Sequence, residues 1–124
     1  MNYKDVERFC LSLPGAVRDA PWSDTTVFKI GGKMFAVIVH DDRHKPVGMW
    51  FKAGNASYDI LTAIEGIGPC PYFWRAKWVA TEGLRPLTPA QWRGYLARAH
   101  AMVAARLSRK MRRALGVEGE PDDL

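Results

Sequence analysis

The sequence predicts an α+β fold, an antiparallel sheet of about five strands (a meander plus a hairpin) with N- and C-terminal helices packed on one face. Three observations carry this. Apolar residues recur at helical spacing near both ends of the chain, β-branched and aromatic runs fill the middle, and glycine or proline pairs separate the patterns. At 124 residues with 48% apolar and 25% charged content, the chain is of ordinary globular composition, with enough length for a core without staples. One domain over residues 1–115 is expected, followed by a disordered acidic tail over 116–124.

The first element is a helix over 4–13. Val6, Phe9, Cys10 and Leu13 form one apolar stripe among Lys4, Asp5, Glu7 and Arg8, and Pro14-Gly15 stops it. Residues 16–24 read as a loop. Strands follow over 25–30 and 34–39, joined by Gly31-Gly32, which supply the positive φ of a tight hairpin. A polar turn over 40–45 leads to a third strand over 47–51. Tyr58, Ile60, Leu61 and Ile64 predict a helix over 55–64 closed by Gly66. Two short strands over 70–74 and 77–81 are expected around Arg75-Ala76. Thr88-Pro89-Ala90-Gln91 then combines an N-cap, a first-turn proline and a glutamine at the third position, a capping box. Trp92, Leu96, Ala99, Val103 and Leu107 share one face of the helix it opens, with Tyr95 and Met102 at the edge. Helix-compatible residues run on to Leu115, so the last turns are expected to project from the body.

Charge is unevenly placed. Residues 1–74 hold eight Lys/Arg against eight Asp/Glu, whereas 75–113 hold ten cations against Glu82 alone. Glu118, Glu120, Asp122 and Asp123 return the total to +5. Such concentration suits a polyanionic partner more than a reaction. No run approaches the roughly 20 apolar residues of a membrane span, and the first eleven residues lack a signal-peptide core, so a cytoplasmic, membrane-free protein is expected. Cys10 and Cys70 lie far apart without a CxxC and read as buried thiols in a reducing compartment.

Four stretches resemble the MmcQ/YjbR family of small bacterial proteins: LSLPGA at 11–16, Pro21-Trp22, VFKIGGKMFA at 27–36 and PCPYFWRAKWVA at 69–80. The LTPAQ entry to the last helix matches as well, so the resemblance covers residues 3–107. It implies a fold like that of the bacterial frataxin homologues and a DNA-binding role in which β-hairpins act as two wings.

The residues support that role in three places. Lys29 and Lys33 flank the Gly31-Gly32 turn, as a wing lying along a groove requires. Trp74-Arg75-Ala76-Lys77-Trp78 interleaves cations with aromatics that stack on bases if exposed. Arg106, Arg109, Lys110, Arg112 and Arg113 crowd the final helix beyond what its dipole explains. The expected partner is duplex DNA, held through phosphates with weak sequence preference by a monomer. The alternative is a protein- or small-ligand-binding module with a groove between sheet and helices lined by Trp22, Trp50, Tyr72 and Trp74.

Chemistry is weakly signalled. His40, Asp41, Asp42 and His44 read as a polar turn rather than a metal site, since a short turn rarely presents four ligands tetrahedrally, and Asp5 and Glu7 are too sparse for an iron-binding ridge. No serine sits in an elbow, Cys70 lacks a partner base in sequence, and Gly66-Ile67-Gly68-Pro69 is no phosphate loop. No enzyme activity, cofactor or metal is expected.

Overall fold

Asn2 starts the chain's first helix by reciprocal capping: its side chain accepts from the Asp5 N–H at 2.9 Å, and the Asp5 carboxylate accepts from the Asn2 N–H at 3.0 Å. The computed structural model describes residues 1–20 and 25–117. In order these form α1 (Tyr3–Ser12), β1 (Ala16–Asp19), β2 (Thr25–Ile30), β3 (Lys33–His40), β4 (Pro46–Lys52), α2 (Asn55–Thr62), β5 (Ile67–Pro69), a 3₁₀ turn (Trp74–Ala76), β6 (Trp78–Glu82), α3 (Pro89–Ala105) and α4 (Arg109–Leu115). The strands make one six-stranded sheet of order β1-β2-β3-β4-β6-β5, antiparallel at every junction. The α+β architecture is therefore as expected, with one strand more.

The helices pack on one face. Val6 and Cys10 of α1 and Trp92, Leu96, Ala99 and Val103 of α3 meet Phe28, Ile30, Phe35, Met49, Phe51 and Val79 in one buried cluster. Phe51 meets Trp92 edge to face at 5.6 Å, and the Trp92 indole N–H donates to the Leu84 carbonyl at 2.8 Å. The predicted capping box of α3 is present, with Gln91 N–H on Thr88 Oγ1 at 3.1 Å and Thr88 N–H on Gln91 Oε1 at 2.9 Å. On the opposite face Val27, Val37, Cys70 and Trp78 form a second cluster, with Met34, Val39, Trp50 and Phe73 against it. That face carries the excursion between β5 and β6.

Three expectations are corrected. Residues 16–19, expected in a loop, form β1, which pairs Ala16 with Ile30 and Asp19 with Val27. Its Val17 and Arg18 are exposed, so no apolar run marks it, and edge pairing makes the strand. The strand expected over 70–74 is absent; β5 ends at Pro69, because prolines at 69 and 71 lack the donors to continue a ladder. Arg75-Ala76 is thus no hairpin tip: residues 74–76 are a 3₁₀ turn that closes on Lys77 with φ 63°. The third concerns the basic helix end. α3 stops at Arg106, Ser108 caps a separate α4 by accepting from the Met111 N–H, and the chain turns back. Leu107 and Val117 are buried in the main cluster with Leu115 packed on it, so the basic segment lies on the body instead of projecting. Gly116 ends α4 in the left-handed conformation. From residue 118 on, the expected acidic tail lies outside the described residues.

The register places the loops. Ile30 pairs with Ala16 and Lys33, Lys52 with Trp78, and Pro69 with Val79. Gly31-Gly32, the segment after Lys52 and the 3₁₀ turn before Trp78 therefore share one end of the sheet. Leu107 fills the space where a Gly31 side chain would stand, and Leu115 packs beside Gly15, whose own side-chain space Ile30 takes, so the α3–α4 corner packs at that end too. Asp41, Asp42 and Glu82 lie at the far end, where His40 pairs with Pro46 and Gly48 with Glu82.

Two outcomes follow for stability. Gly48 lets β6 approach so closely that an added Cβ would strike the Thr81 carbonyl oxygen. Gly48→Ala is expected to cost about 1–3 kcal/mol, the cost of overpacking, read as a lowered urea midpoint. His100, buried on α3, donates from Nε2 to the Pro14 carbonyl at 2.7 Å and meets Phe35 edge to face. Burial holds its pKa below the usual 6.5, so below that pH the unfolded chain binds a proton the folded chain refuses. Stability contributed by neutral His100 is full above about pH 6.5 and is lost as pH falls from there through the folded pKa. Thermal melts at pH 7.5 and 5.5 are expected to differ, and His100→Gln is expected to shrink that difference.

Candidate nucleic-acid interface

Cations from three elements meet at the glycine-turn end. Lys52 closes β4, Arg75 lies in the 3₁₀ turn, Lys77 precedes β6, and Arg106 is the C-cap residue of α3. Together with Gly54, Asn55 and Ala76 they line a pocket of about 300 Å³. Among the described residues no carboxylate lines it. Each position has a local cause. Lys52 lies on the face of Trp50 by strand alternation, is buried to 7% exposure, and its ammonium donates to the Ala76 carbonyl at 3.0 Å. The Lys77 ammonium sits 4.7 Å from the Tyr58 ring centre, and the Arg75 guanidinium 5.2 Å from that of Trp74. Rings hold these two cations by attraction to their π faces without neutralising them. The Lys77 carbonyl accepts from the N–H groups of Ala53 and Gly54, which ties the start of α2 to the same corner.

Of the expected cations, Arg75, Lys77 and Arg106 line this pocket. Lys33 is exposed at the hairpin of the same sheet end, and α4, which leads from Leu107 against Gly31 toward Gly15, exposes Arg109, Lys110 and Arg113 with Arg112 half-buried. Lys29 stands apart from them. Lys29 is bound to Asp19 across β1 and β2 at 2.9 Å, and that hydrogen bond holds the Asp19 carboxyl below the usual carboxylate range. Its charge is compensated within the sheet. Lys52, by contrast, was missed by sequence reasoning. Its signal was available, since a lysine in phase with Trp50 at a strand end is a cation placed on an apolar face.

The groove expected between sheet and helices is not formed by the described residues; a different one, sharing Trp50 and Tyr72, opens on the helix-free face. Its volume is about 920 Å³ and its lining includes Met34, Val37, Trp50, Tyr72 and Phe73, with His40, Asp41, Asp42 and His44 along one side. Trp50 and Phe73 meet edge to face at 6.2 Å. Trp74 is half exposed but stacks under Arg75 and does not line the groove, because the 3₁₀ turn breaks the strand phase; Trp22 lies outside the described residues. Asp41 is committed to its turn: the N–H groups of Lys45 and Arg43 donate to its carboxylate at 2.9 Å and hold its pKa below the usual range.

Neither thiol is poised for chemistry. Burial pushes Cys70 and Cys10 up to about 12, and Cys70 Sγ faces the Pro71 carbonyl at 3.6 Å. Among the described residues no helix is long and apolar enough to cross a membrane.

The sequence profile of the YjbR family matches residues 11–102. The chain belongs to the YjbR family. The crystal structure of Deinococcus radiodurans protein DR2400, which carries the family domain DUF419, superposes with a TM-score of 0.81 at 21% identity, over 99% of this chain and 91% of that one. At that identity the likeness speaks for the fold. No curated protein matches the sequence.

With the thiols as buried as they are, iodoacetamide at pH 8 is expected to leave both cysteines of this YjbR protein unmodified in the native state, and to alkylate both in urea. Mass spectrometry reads the difference; rapid native labelling of Cys70 would contradict the description of its site.

Proposed function

We propose that this YjbR protein binds nucleic acid, duplex DNA first, through the phosphate backbone at the glycine-turn end of its sheet. The observation that carries the reading is convergence. The Arg75/Lys77 pair, Lys52 and Arg106 come from distant parts of the sequence and line one pocket, and the cations of α4 and Lys33 lie at the same end of the sheet. Acidic groups of the meander, Asp41 and Asp42, sit at the opposite end. A surface of this kind neutralises phosphates and releases counterions; it carries no base-reading pattern, so sequence preference is weak.

The wing picture changes in one respect. A β-hairpin tip with exposed Lys33 remains at Gly31-Gly32, whereas the second contact is a 3₁₀ turn that presents Arg75 stacked on Trp74. A guanidinium held over a ring keeps its charge and its donors for a phosphate.

A second reading rests on the helix-free groove. Its size and aromatic walls suit a small apolar ligand, and Thr25 Oγ1 on its lining is buried with no partner among the described residues. A ligand there would quench or shift Trp50 emission, and polyanions would not displace it.

The test is a salt series with a fluorescently labelled duplex. With about five phosphates neutralised, the log–log slope is expected near −4.5, and Arg75→Gln/Lys77→Gln/Arg106→Gln is expected to reduce its magnitude by about 2.7. Lys29→Gln should leave the slope unchanged, since that lysine belongs to Asp19. Binding weaker than about 10⁻⁴ M, the weak end of ordinary non-specific binding, or affinity indifferent to salt, would overturn the reading.

A further inference from the structure

The basic corner is concave, and this separates it from a surface that merely tracks a duplex. Resting on the nucleic-acid reading above, we propose that the pocket lined by Lys52, Arg75, Lys77 and Arg106 receives a phosphomonoester dianion carried by a nucleoside, such as the terminal phosphate of a nucleic-acid strand.

Three features favour a terminal phosphate over an internal one. At about 300 Å³ the pocket is at the small end of ligand sites, room for a phosphate with the sugar that carries it. A backbone diester is flanked on both sides by sugars, and such a group enters a recess poorly; a terminal group has one attachment and enters end-on. The charge points the same way. All four charged residues of the lining are cationic, and a doubly charged group gains more from such a lining than a singly charged diester does.

The recess is also set before any ligand arrives. Arg75 and Lys77 are fixed by the Trp74 and Tyr58 rings, and the Lys52 ammonium by the Ala76 carbonyl. Rings leave N–H donors directed elsewhere, so these side chains lose little freedom on binding an anion. Gly54, with φ 82° and no side-chain cap on α2, adds backbone to the wall where a capping side chain would otherwise intrude.

The experiment compares four probes at fixed salt: a blunt duplex with 5′-phosphates, the same duplex with 5′-hydroxyls, a covalently closed duplex without ends, and a 5′-mononucleotide. The phosphorylated duplex is expected to bind about tenfold tighter than the other two duplexes, the scale of one added charge-assisted contact. Arg75→Gln/Arg106→Gln should erase that ratio, while Arg109→Gln/Lys110→Gln should weaken all duplexes evenly and preserve it. Equal binding of all three duplexes, lowered equally by the pocket variant, overturns the terminal-phosphate inference and leaves the polyanion reading standing. Mononucleotide binding lost in Arg75→Gln/Arg106→Gln, with no duplex bound, supports the pocket's chemistry from a free nucleotide and overturns the polyanion reading. No binding of any probe overturns both.

Discussion

Leu107 occupies the space that Gly31 leaves empty, and the basic end of the molecule is built around that contact. A Cβ on Gly31 would collide with the leucine, and the turn needs φ 58° there, so a bare residue serves packing and conformation together. With Leu107 anchored against the hairpin, α3 must end at Arg106, and the next helix must turn back over Gly15. That reversal keeps the cations of α4 on the body, and it sets Arg106 beside the 3₁₀ turn that carries Arg75. A helix running straight on would have separated these groups by several turns.

The two faces and two ends of the sheet are consequently different in kind. One face is covered by α1 and α3 over an aromatic and aliphatic core; the other keeps a groove open between the 41–45 turn and Tyr72. One end gathers lysines and arginines held by rings and carbonyls; the far end carries Asp41, Asp42 and Glu82. Tyr72 is 89% exposed at φ 69°, a conformation bulky residues rarely adopt, so the excursion between β5 and β6 is shaped by its prolines and by Phe73 and Trp78 packing beneath it.

Periodic elements were legible in the sequence, and elements made by partnership were not. The stripes of α1 and α3, the Thr88–Gln91 box and the Gly31-Gly32 hairpin each carry a local signal that tertiary context left intact. β1 carries none: a four-residue edge strand with Val17 and Arg18 in water exists only because β2 offers it a ladder. Helix propensity ran smoothly through 106–115, and burial of Leu107, Leu115 and Val117 overrode it, an outcome that needs the position of Gly15 and Gly31 to be known. At the candidate interface the residue types were readable, while their pairing was not. Nothing local says that Lys29 belongs to Asp19, ten residues away across a strand pair, or that Lys52 joins Arg106.

Amide chemical-shift mapping during titration with a short duplex tests most directly the proposal that the glycine-turn end faces the ligand. Perturbations are expected only in the hairpin around 31–33, the start of α2, residues 75–77 and the stretch 106–113, with amides of the helix-free groove still. Shifts centred on 40–44, Trp50 and Phe73, with the basic end silent, would contradict it.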